Sequence, residues 1–328
     1  MGIVDEVACV VIGRNEGARL HRCLEVLSTT GVRIVYVDSG STDGSLDTAR
    51  ALGVDALALD ASRPFTAARA RNAGLLRLLS DTPSLPYVQF IDGDCEPVRG
   101  WLEDALARLN ERPALGAACG RRRERHPEAS VWNRILDVEW DTPIGDTRAC
   151  GGDAMFRVRA LTEVGGFDAT MIAGEEPELC ERLRDAGWSI ERLDVEMTLH
   201  DAAMTRFGQW WTRAIRSGHA CAEAAARVTA DDDAHYALRR VVAWGGLLPL
   251  VTVASAAPTG GTSLALLAAY PWSAYRVYRK VRRRGRTRRD AAPYALAITL
   301  GKFAEFEGVV QAWSARRRGV RRALIEYR

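Results

Sequence analysis

The chain has 328 residues, 47% hydrophobic and 27% charged, an ordinary globular balance that excludes wholesale disorder, a collagen-like repeat and a small disulfide-stapled scaffold. The net charge of +3 conceals a polarity: from Arg276 to Arg328 there are 16 Lys and Arg against four acids, so the tail is strongly basic and the rest of the chain acidic. Such an asymmetry points to an anionic partner, nucleic acid or membrane, met by the C-terminus alone.

The N-terminus shows no basic start followed by a long apolar stretch, so a cytoplasmic body without a signal peptide is expected. Val7–Ile12 is a continuous, β-branched apolar run ending at Gly13, the pattern of a strand covered on both faces in a parallel sheet. Glu16–Leu27 then places Ala18, Leu20, Leu24 and Leu27 at helical spacing, and Arg33–Val37 reads as a second buried strand. A helix over Asp43–Leu52, a strand over Asp55–Leu59, a helix over Ala67–Leu79 and a strand over Tyr87–Ile91, ending at Asp92, continue the alternation. This order predicts an α/β domain that binds ligands at the carboxyl ends of its strands. Next come a helix over Trp101–Asn110, an irregular stretch containing Arg121–Arg125 and a Gly-rich segment, Cys150–Asp153. Helices follow over Glu176–Ala186 and Phe207–Ala225, and the acidic cluster Ala230–Asp233 reads as a domain boundary between residues 1–233 and 234–328. Seven scattered cysteines, without C-x-x-C spacing, argue against a disulfide framework and a zinc cluster and for a reducing compartment.

Beyond the boundary, Val241–Pro258 and Thr262–Tyr275 are both free of formal charge and are separated by Thr259, Gly260 and Gly261. Eighteen helical residues span about 27 Å, close to a hydrocarbon core of roughly 30 Å. Arg239 and Arg240 flank one side and Arg276–Arg289 the other, so a membrane hairpin over 241–275 would keep both ends in the cytoplasm. The competing reading is a buried helical hairpin of a soluble protein. A last segment, Ala292–Trp313, ends in Arg316–Arg318 and could lie on an anionic leaflet.

Two stretches carry chemistry. In VYVDSGSTDGS, Asp38 stands at the end of a buried strand before small turn residues and a helix start, where it could accept hydrogen bonds from a base or ribose or simply cap the turn. In Asp92-Gly93-Asp94, two carboxylates on a bend at a strand end make a hard oxygen site for Mg²⁺ or Mn²⁺ with positions left for phosphate oxygens.

Together with VVIGRNEG, ARNAG (Ala70–Gly74), GGFD (Gly165–Asp168) and GEEPELCERLRDAGW, these stretches resemble the family 2 glycosyltransferases over residues 7 to about 225. The resemblance implies a GT-A fold, Rossmann-like with a mostly parallel sheet flanked by helices, followed here by a helical, membrane-associated C-terminal region. It implies that Gly13, Arg14, Asn15, Glu16, Asp38, Arg71, Asp92 and Gly93 bind the nucleotide-sugar, and that Asp94, Asp92 and His200 hold a divalent metal, Mn²⁺ or Mg²⁺. Arg69 is a nearby competitor for the role of Arg71. Inverting transfer needs a base opposite the leaving group. In similar enzymes it is the Asp of a Glu-Asp pair; here the pair is Glu175-Glu176, with Glu176 the candidate base and Glu175 its alternative. Gln209, Trp210 and Arg213 loosely match a motif of processive synthases, but Ala214 replaces its Trp, which argues against processivity.

The expected activity is therefore transfer of a sugar from a nucleotide-diphosphate sugar, a UDP-sugar first, to a lipid-linked or polysaccharide acceptor at the cytoplasmic membrane face. Trp132, Trp140 and Arg121–Arg123 are candidates for acceptor contact. The Glu-Glu pair also admits a non-catalytic sugar-nucleotide-binding scaffold. A nucleotidyltransferase is less favoured, because Gly13-Arg14-Asn15-Glu16 is too short for its phosphate loop and has no lysine. A nucleic-acid partner is least favoured, for the basic tail follows two apolar segments and no recognised binding module.

Overall fold

A computed structural model describes residues 2–226 and 233–319, so most of the acidic boundary cluster and the last nine residues of the basic tail lie outside the described residues. The chain divides into two compact units, one of residues 1–125 and 140–202 and the other of residues 126–139 and 203–328. The division thus falls earlier than the acidic cluster, at 202–203, and the segment 126–139 belongs to the second unit.

The first unit is built on one nine-stranded sheet. Its strands are β1 (Val7–Gly13), β2 (Arg33–Asp38), β3 (Asp55–Ala58), β4 (Tyr87–Asp92), β5 (Cys95–Pro97), β6 (Leu115–Glu124), β7 (Gly145–Asp146), β8 (Ala154–Arg157) and β9 (Ser189–His200). They lie in the order β3-β2-β1-β4-β8-β6-β9-β5, with β7 beside β9. The β3-β2-β1-β4 half is parallel as expected, but β8 runs antiparallel to β4 and β6, and β5 and β7 antiparallel to β9, so the sheet as a whole is mixed.

The apolar runs explain the parallel half. Cys9, Val10 and Val11 of β1, Val35, Tyr36 and Val37 of β2 and Phe90 and Ile91 of β4 are all fully buried, because helices cover both faces. Each such side chain contributes roughly 1.5–3 kcal/mol of apolar burial. Gly74, in helix Ala67–Asp81, has no side chain where it crosses Val10 and Val37, so this helix lies directly on the sheet. β1 pairs with β2 on one side and β4 on the other. The chain winds outward from β1 in both directions, which opens a crevice at the carboxyl ends of β1 and β4.

The stretch Arg121–Arg125, expected to be irregular, is mostly the end of β6. Register shifts against β9 flank Arg121 and break the alternation by which a strand is read from sequence. Gly120 sits at this irregularity, because a Cβ there would lie 2.8 Å from the Val195 carbonyl oxygen and from the Trp101 ring.

The second unit is helical. Helix Phe207–Ala225 packs against the long helix Arg288–Arg317 through small residues. A Cβ on Gly218 would collide with the Glu305 carbonyl, and one on Gly308 with the Ile215 carbonyl. Ala292–Trp313 therefore lies within a helix whose buried face, including Ala295, Gly301, Ala304, Gly308 and Ala312, is spent on other helices. Gly308→Val is expected to destabilise the protein by about 3 kcal/mol through overpacking, read as a fall in melting temperature by circular dichroism.

The uncharged run 241–258 lies mostly in a continuous helical stretch, Asp233–Ala254, with a π-helical turn at Ala243–Leu247 where Gly245 and Gly246 meet Lys302 and Phe306. Among the described residues, Ala234–Ala254 is the one helix long and apolar enough to cross a membrane, and only 17% of its apolar window is buried. That exposure is at odds with the buried-hairpin reading. The second limb of the expected hairpin is different: Thr262–Ala268 is a 3₁₀ segment, and the helix Ala269–Arg283 that follows turns basic after Tyr275.

Candidate active site

The candidate donor-binding, metal-binding and acid–base residues all belong to the first unit. The register of the parallel half places Gly13 opposite Asp38 across β1 and β2, and Ile12 opposite Asp92 across β1 and β4. Three candidate residues thus stand in a row at the carboxyl ends of adjacent strands. The Gly93 N–H donates to the Ile12 carbonyl at 2.7 Å, which bends the chain sharply after Asp92.

That bend runs into β5, whose Cys95 pairs with His200 at the end of β9. The Asp201 N–H donates to the Asp94 carbonyl at 3.0 Å, and His200 Nε2 comes to lie 3.3 Å from Asp94 Oδ2. Backbone pairing brings together two residues 106 positions apart in the sequence. Trp140 presses edgewise on the imidazole at 4.5 Å between centroids, and Nδ1 faces Glu124 Oε2 at 3.9 Å without a hydrogen bond. Glu124, at the end of β6, accepts the Ala202 N–H at 3.2 Å. A carboxylate oxygen and an imidazole nitrogen, with a second carboxylate behind the ring, form a donor set that suits Mn²⁺ and accommodates Mg²⁺. Burial holds the neighbouring Cys95 thiol well above its ordinary range, so it stays protonated beside them.

Asp92 points elsewhere. Arg71, on helix Ala67–Asp81 and only 2% exposed, donates from Nη2 to Asp92 Oδ1 and from Nη1 to Glu175 Oε1, both at 2.8 Å. Burial acts to lower the pKa of the guanidinium, but Asp92 and Glu175 outweigh it and raise it. Asp153, fully buried, accepts the Asp92 N–H at 2.9 Å and the Thr198 hydroxyl at 2.9 Å and pairs with Arg122 at 2.8 Å. Burial acts to raise the pKa of Asp153, yet Arg122 and the hydrogen bonds hold it below the usual carboxylate range. Arg122 and Asp153 thereby support the DGD turn from behind. Of the three arginines of β6, this one is spent inside the unit, and Arg121 pairs with Asp141 and Asp194.

Asp38 is held locally by three hydrogen bonds. It accepts the Tyr36 hydroxyl at 2.9 Å and the Gly40 and Ser41 N–H groups at 2.9 and 2.8 Å, so the turn-capping role is the one its contacts show. The Gly13–Glu16 turn is fastened to this loop: Asn15, at φ +56°, accepts the Thr42 N–H at 2.8 Å and donates its own to Ser41 Oγ at 2.9 Å. Arg14 lies over the Phe65 ring, 5.6 Å from its centroid, and Glu16 pairs with Arg19 at 2.9 Å. Arg69 is turned away, holding the carbonyls of Asp60, Arg63 and Pro64.

The Glu175-Glu176 pair opens helix Glu175–Asp185 behind Gly174, and its two carboxylates diverge. Glu175 joins Arg71, and Glu176 turns to the Gly-rich segment, where Oε1 accepts the Cys150 N–H at 2.6 Å and the Cys180 thiol at 3.0 Å. Its Oε2 has no hydrogen-bond partner among the described residues, and the residue is 8% exposed. Sequence reasoning had no signal for Glu124 or the Cys150–Cys180 contact and took Arg122 for an acceptor contact rather than a support of the DGD turn, because all three depend on long-range pairing. Trp132 lies in the second unit, stacked on Trp210 at 5.3 Å.

Comparison with known proteins fits this geometry. Residues 8–164 match the model of glycosyl transferase family 2. The pre-mycofactocin glycosyltransferase of Mycobacterium tuberculosis is 28% identical over 235 residues, 68% of this chain and 48% of the relative, so the match spans about half the length of that relative. Glycosyltransferase AglE of Haloferax volcanii is 23% identical over 227 residues, 65% of this chain and 71% of the relative. Among solved structures, the mannosyltransferase PcManGT of Pyrobaculum calidifontis, in complex with GDP-Man and Mn²⁺, is similar over 94% of this chain and 87% of its own, with a TM-score of 0.64 and 20% identity. The fold is that of the GT-A glycosyltransferases, and residues 8–164 are similar to glycosyl transferase family 2.

Proposed function

We propose that the protein is an inverting glycosyltransferase, moving a sugar from a nucleotide-diphosphate sugar, a UDP-sugar first, to a hydroxyl of a lipid-linked or polysaccharide acceptor at the cytoplasmic face of the cell membrane. The observation that carries this reading is the convergence of Asp94 and His200, 3.3 Å apart, at the crevice where Asp92 and Glu175 are clamped by one buried arginine. Asp94 and His200 would hold Mn²⁺ or Mg²⁺, with Asp92 held by Arg71 at the neighbouring strand end, and the bound ion would neutralise charge on the departing diphosphate. Arg71 sets the spacing between the DGD turn and the start of helix Glu175–Asp185. Glu176, anchored through Oε1, would take the acceptor hydroxyl's proton on Oε2 as the hydroxyl oxygen bonds to the anomeric carbon and the bond to the diphosphate breaks.

The membrane part of the proposal rests on the second unit. Leu247, Leu250 and Val253 of the apolar helix are each more than half exposed, as are Trp272 and Leu296. A groove of about 860 Å³, lined among others by Trp244, Trp272, Arg276, Arg279, Lys280 and Lys302, combines aromatic and cationic groups. Such a surface suits an anionic leaflet or a lipid phosphate.

Calorimetric titration of the detergent-solubilised chain with UDP, GDP and dTDP, each with Mn²⁺ and with chelator, tests the donor site. The expected result is metal-dependent binding of one of them, UDP first; PcManGT, bound to GDP-Man, makes GDP the second candidate. Absence of metal-dependent binding to all three sinks the donor-site assignment, whereas binding without transfer would point to the sugar-nucleotide-binding scaffold. Gly152→Ala provides a further test, because its Cβ would lie 2.7 Å from Asp92 Oδ2 and 2.8 Å from Arg71 Nη2. The variant is expected to lose at least tenfold in nucleotide affinity, about 1.4 kcal/mol, in the same titration.

A further inference from the structure

No spacing rule associates Cys150 with Cys180, yet the fold brings their sulfurs to 3.5 Å, and Cys180 Sγ lies 3.0 Å from Glu176 Oε1. All three residues are buried, and one ligand atom from each lies within 4.8 Å of the others. Glu176 and Cys180 stand at i and i+4, one above the other on the same face of helix Glu175–Asp185. Cys150 comes from the loop that leads through Gly151, Gly152 and Asp153 into β8.

Magnitudes decide what such a cluster can do. A disulfide needs sulfurs about 2.05 Å apart, so the pair would have to close by about 1.5 Å inside a packed interior. A tetrahedral zinc ion, with bonds of about 2.3 Å to sulfur and about 2.0 Å to oxygen, sets its sulfurs roughly 3.8 Å apart and sulfur from oxygen roughly 3.5 Å apart. The two edges through Cys180, at 3.5 and 3.0 Å, need to open by no more than about half an ångström to take the ion, and the third lies within 4.8 Å. We propose that Cys150, Cys180 and Glu176 form a site for a thiophilic divalent cation of the zinc class, separate from the hard Asp94–His200 site. A solvent or acceptor oxygen would complete the tetrahedron.

Binding exchanges two thiol protons for the ion and releases both protons to solvent. The thiols hold those protons firmly in the metal-free protein. The contact with Cys180, followed by burial, pushes Cys150 well above its ordinary range. Cys180 is drawn down by Cys150, but burial and Glu176 outweigh that and push it up to about 11. Affinity should therefore fall as the solution is acidified, by up to about 100-fold per pH unit. Occupancy would also bind the carboxylate assigned above as general base, and inhibit transfer. The inhibition rests on the proposed function; the site does not.

The experiment is a titration of the reduced, metal-free full chain with Co²⁺ and Cd²⁺, followed by thiolate-to-metal charge-transfer absorption, with Zn²⁺ affinity measured by competition against a chromophoric chelator. The expected result is one equivalent bound with thiolate bands, retained in Asp94→Asn, absent in Cys180→Ala and weakened at least tenfold in Glu176→Gln. The Gln variant keeps both thiols and an isosteric side chain, so it tests the site even if Cys180→Ala fails to fold. Absence of thiolate bands, bands unchanged in Glu176→Gln, or loss of two thiols to a disulfide in place of metal uptake would overturn the proposal. If Glu176→Gln weakens the metal but leaves transfer intact, the base assignment fails and the site stands.

Discussion

Asp94→Asn is expected to abolish the metal-dependent part of nucleotide binding and to lower kcat/KM for sugar transfer by at least 10²- to 10³-fold, about 3–4 kcal/mol of transition-state stabilisation. The side chain is 6% exposed and faces His200 Nε2 at 3.3 Å, so the variant replaces one anionic oxygen by an amide at nearly constant volume. Folding should be preserved, and binding in chelator should match wild type. Glu124→Gln acts one step further out, by removing a charge 3.9 Å from the imidazole without breaking a hydrogen bond, and should cost up to about tenfold in metal affinity with the nucleotide site intact. Metal titration followed by steady-state kinetics checks both. If Asp94→Asn keeps Mn²⁺-dependent affinity within twofold of wild type, the ion is held elsewhere and the hard site is misassigned.

Strands β1, β2 and β4 of the parallel half were legible because they are short, apolar runs covered on both faces, and because each ends at a residue that breaks the run, Gly13, Asp38 or Asp92. Elements of that kind announce themselves locally. The DGD turn could be placed at a strand end for the same reason. What could not be read is whatever depends on partners far away in the chain. β6 bulges against β9 at Arg121, so its charged end looks like loop. The approach of Glu124 to His200 follows from the pairing of β6 with β9, which no spacing rule encodes. Arg71 shows a subtler limit: its motif suggested a nucleotide contact, whereas its terminal nitrogens go to Asp92 and Glu175. In the C-terminal unit, charge and hydropathy identified the apolar helix. They could not show that Ala292–Trp313 presents Gly301 and Gly308 to neighbouring helices, because small residues score as neither strongly apolar nor polar.

The second large effect concerns the acidic pair, and the two glutamates should separate cleanly. Glu176 has one oxygen fixed by two donors, the Cys150 N–H at 2.6 Å and the Cys180 thiol at 3.0 Å, and the other free of hydrogen bonds among the described residues. This is how a carboxylate can be held in place and still receive a proton. Glu175, by contrast, is neutralised in an ion pair with Arg71. Glu176→Gln is therefore expected to lower kcat by about 10²- to 10⁴-fold with nucleotide affinity unchanged, since Gln still accepts at Oε1 but cannot take a proton. Glu175→Gln should act mainly on donor affinity, because it leaves a buried guanidinium with Asp92 as its one close carboxylate partner and loosens the DGD turn. Single-turnover transfer, measured beside nucleotide titration on both variants, reads the two effects separately. The reverse pattern, with chemistry lost in Glu175→Gln and affinity lost in Glu176→Gln, would exchange the roles and make Glu176 a positioning residue that ties the Gly-rich segment to its helix.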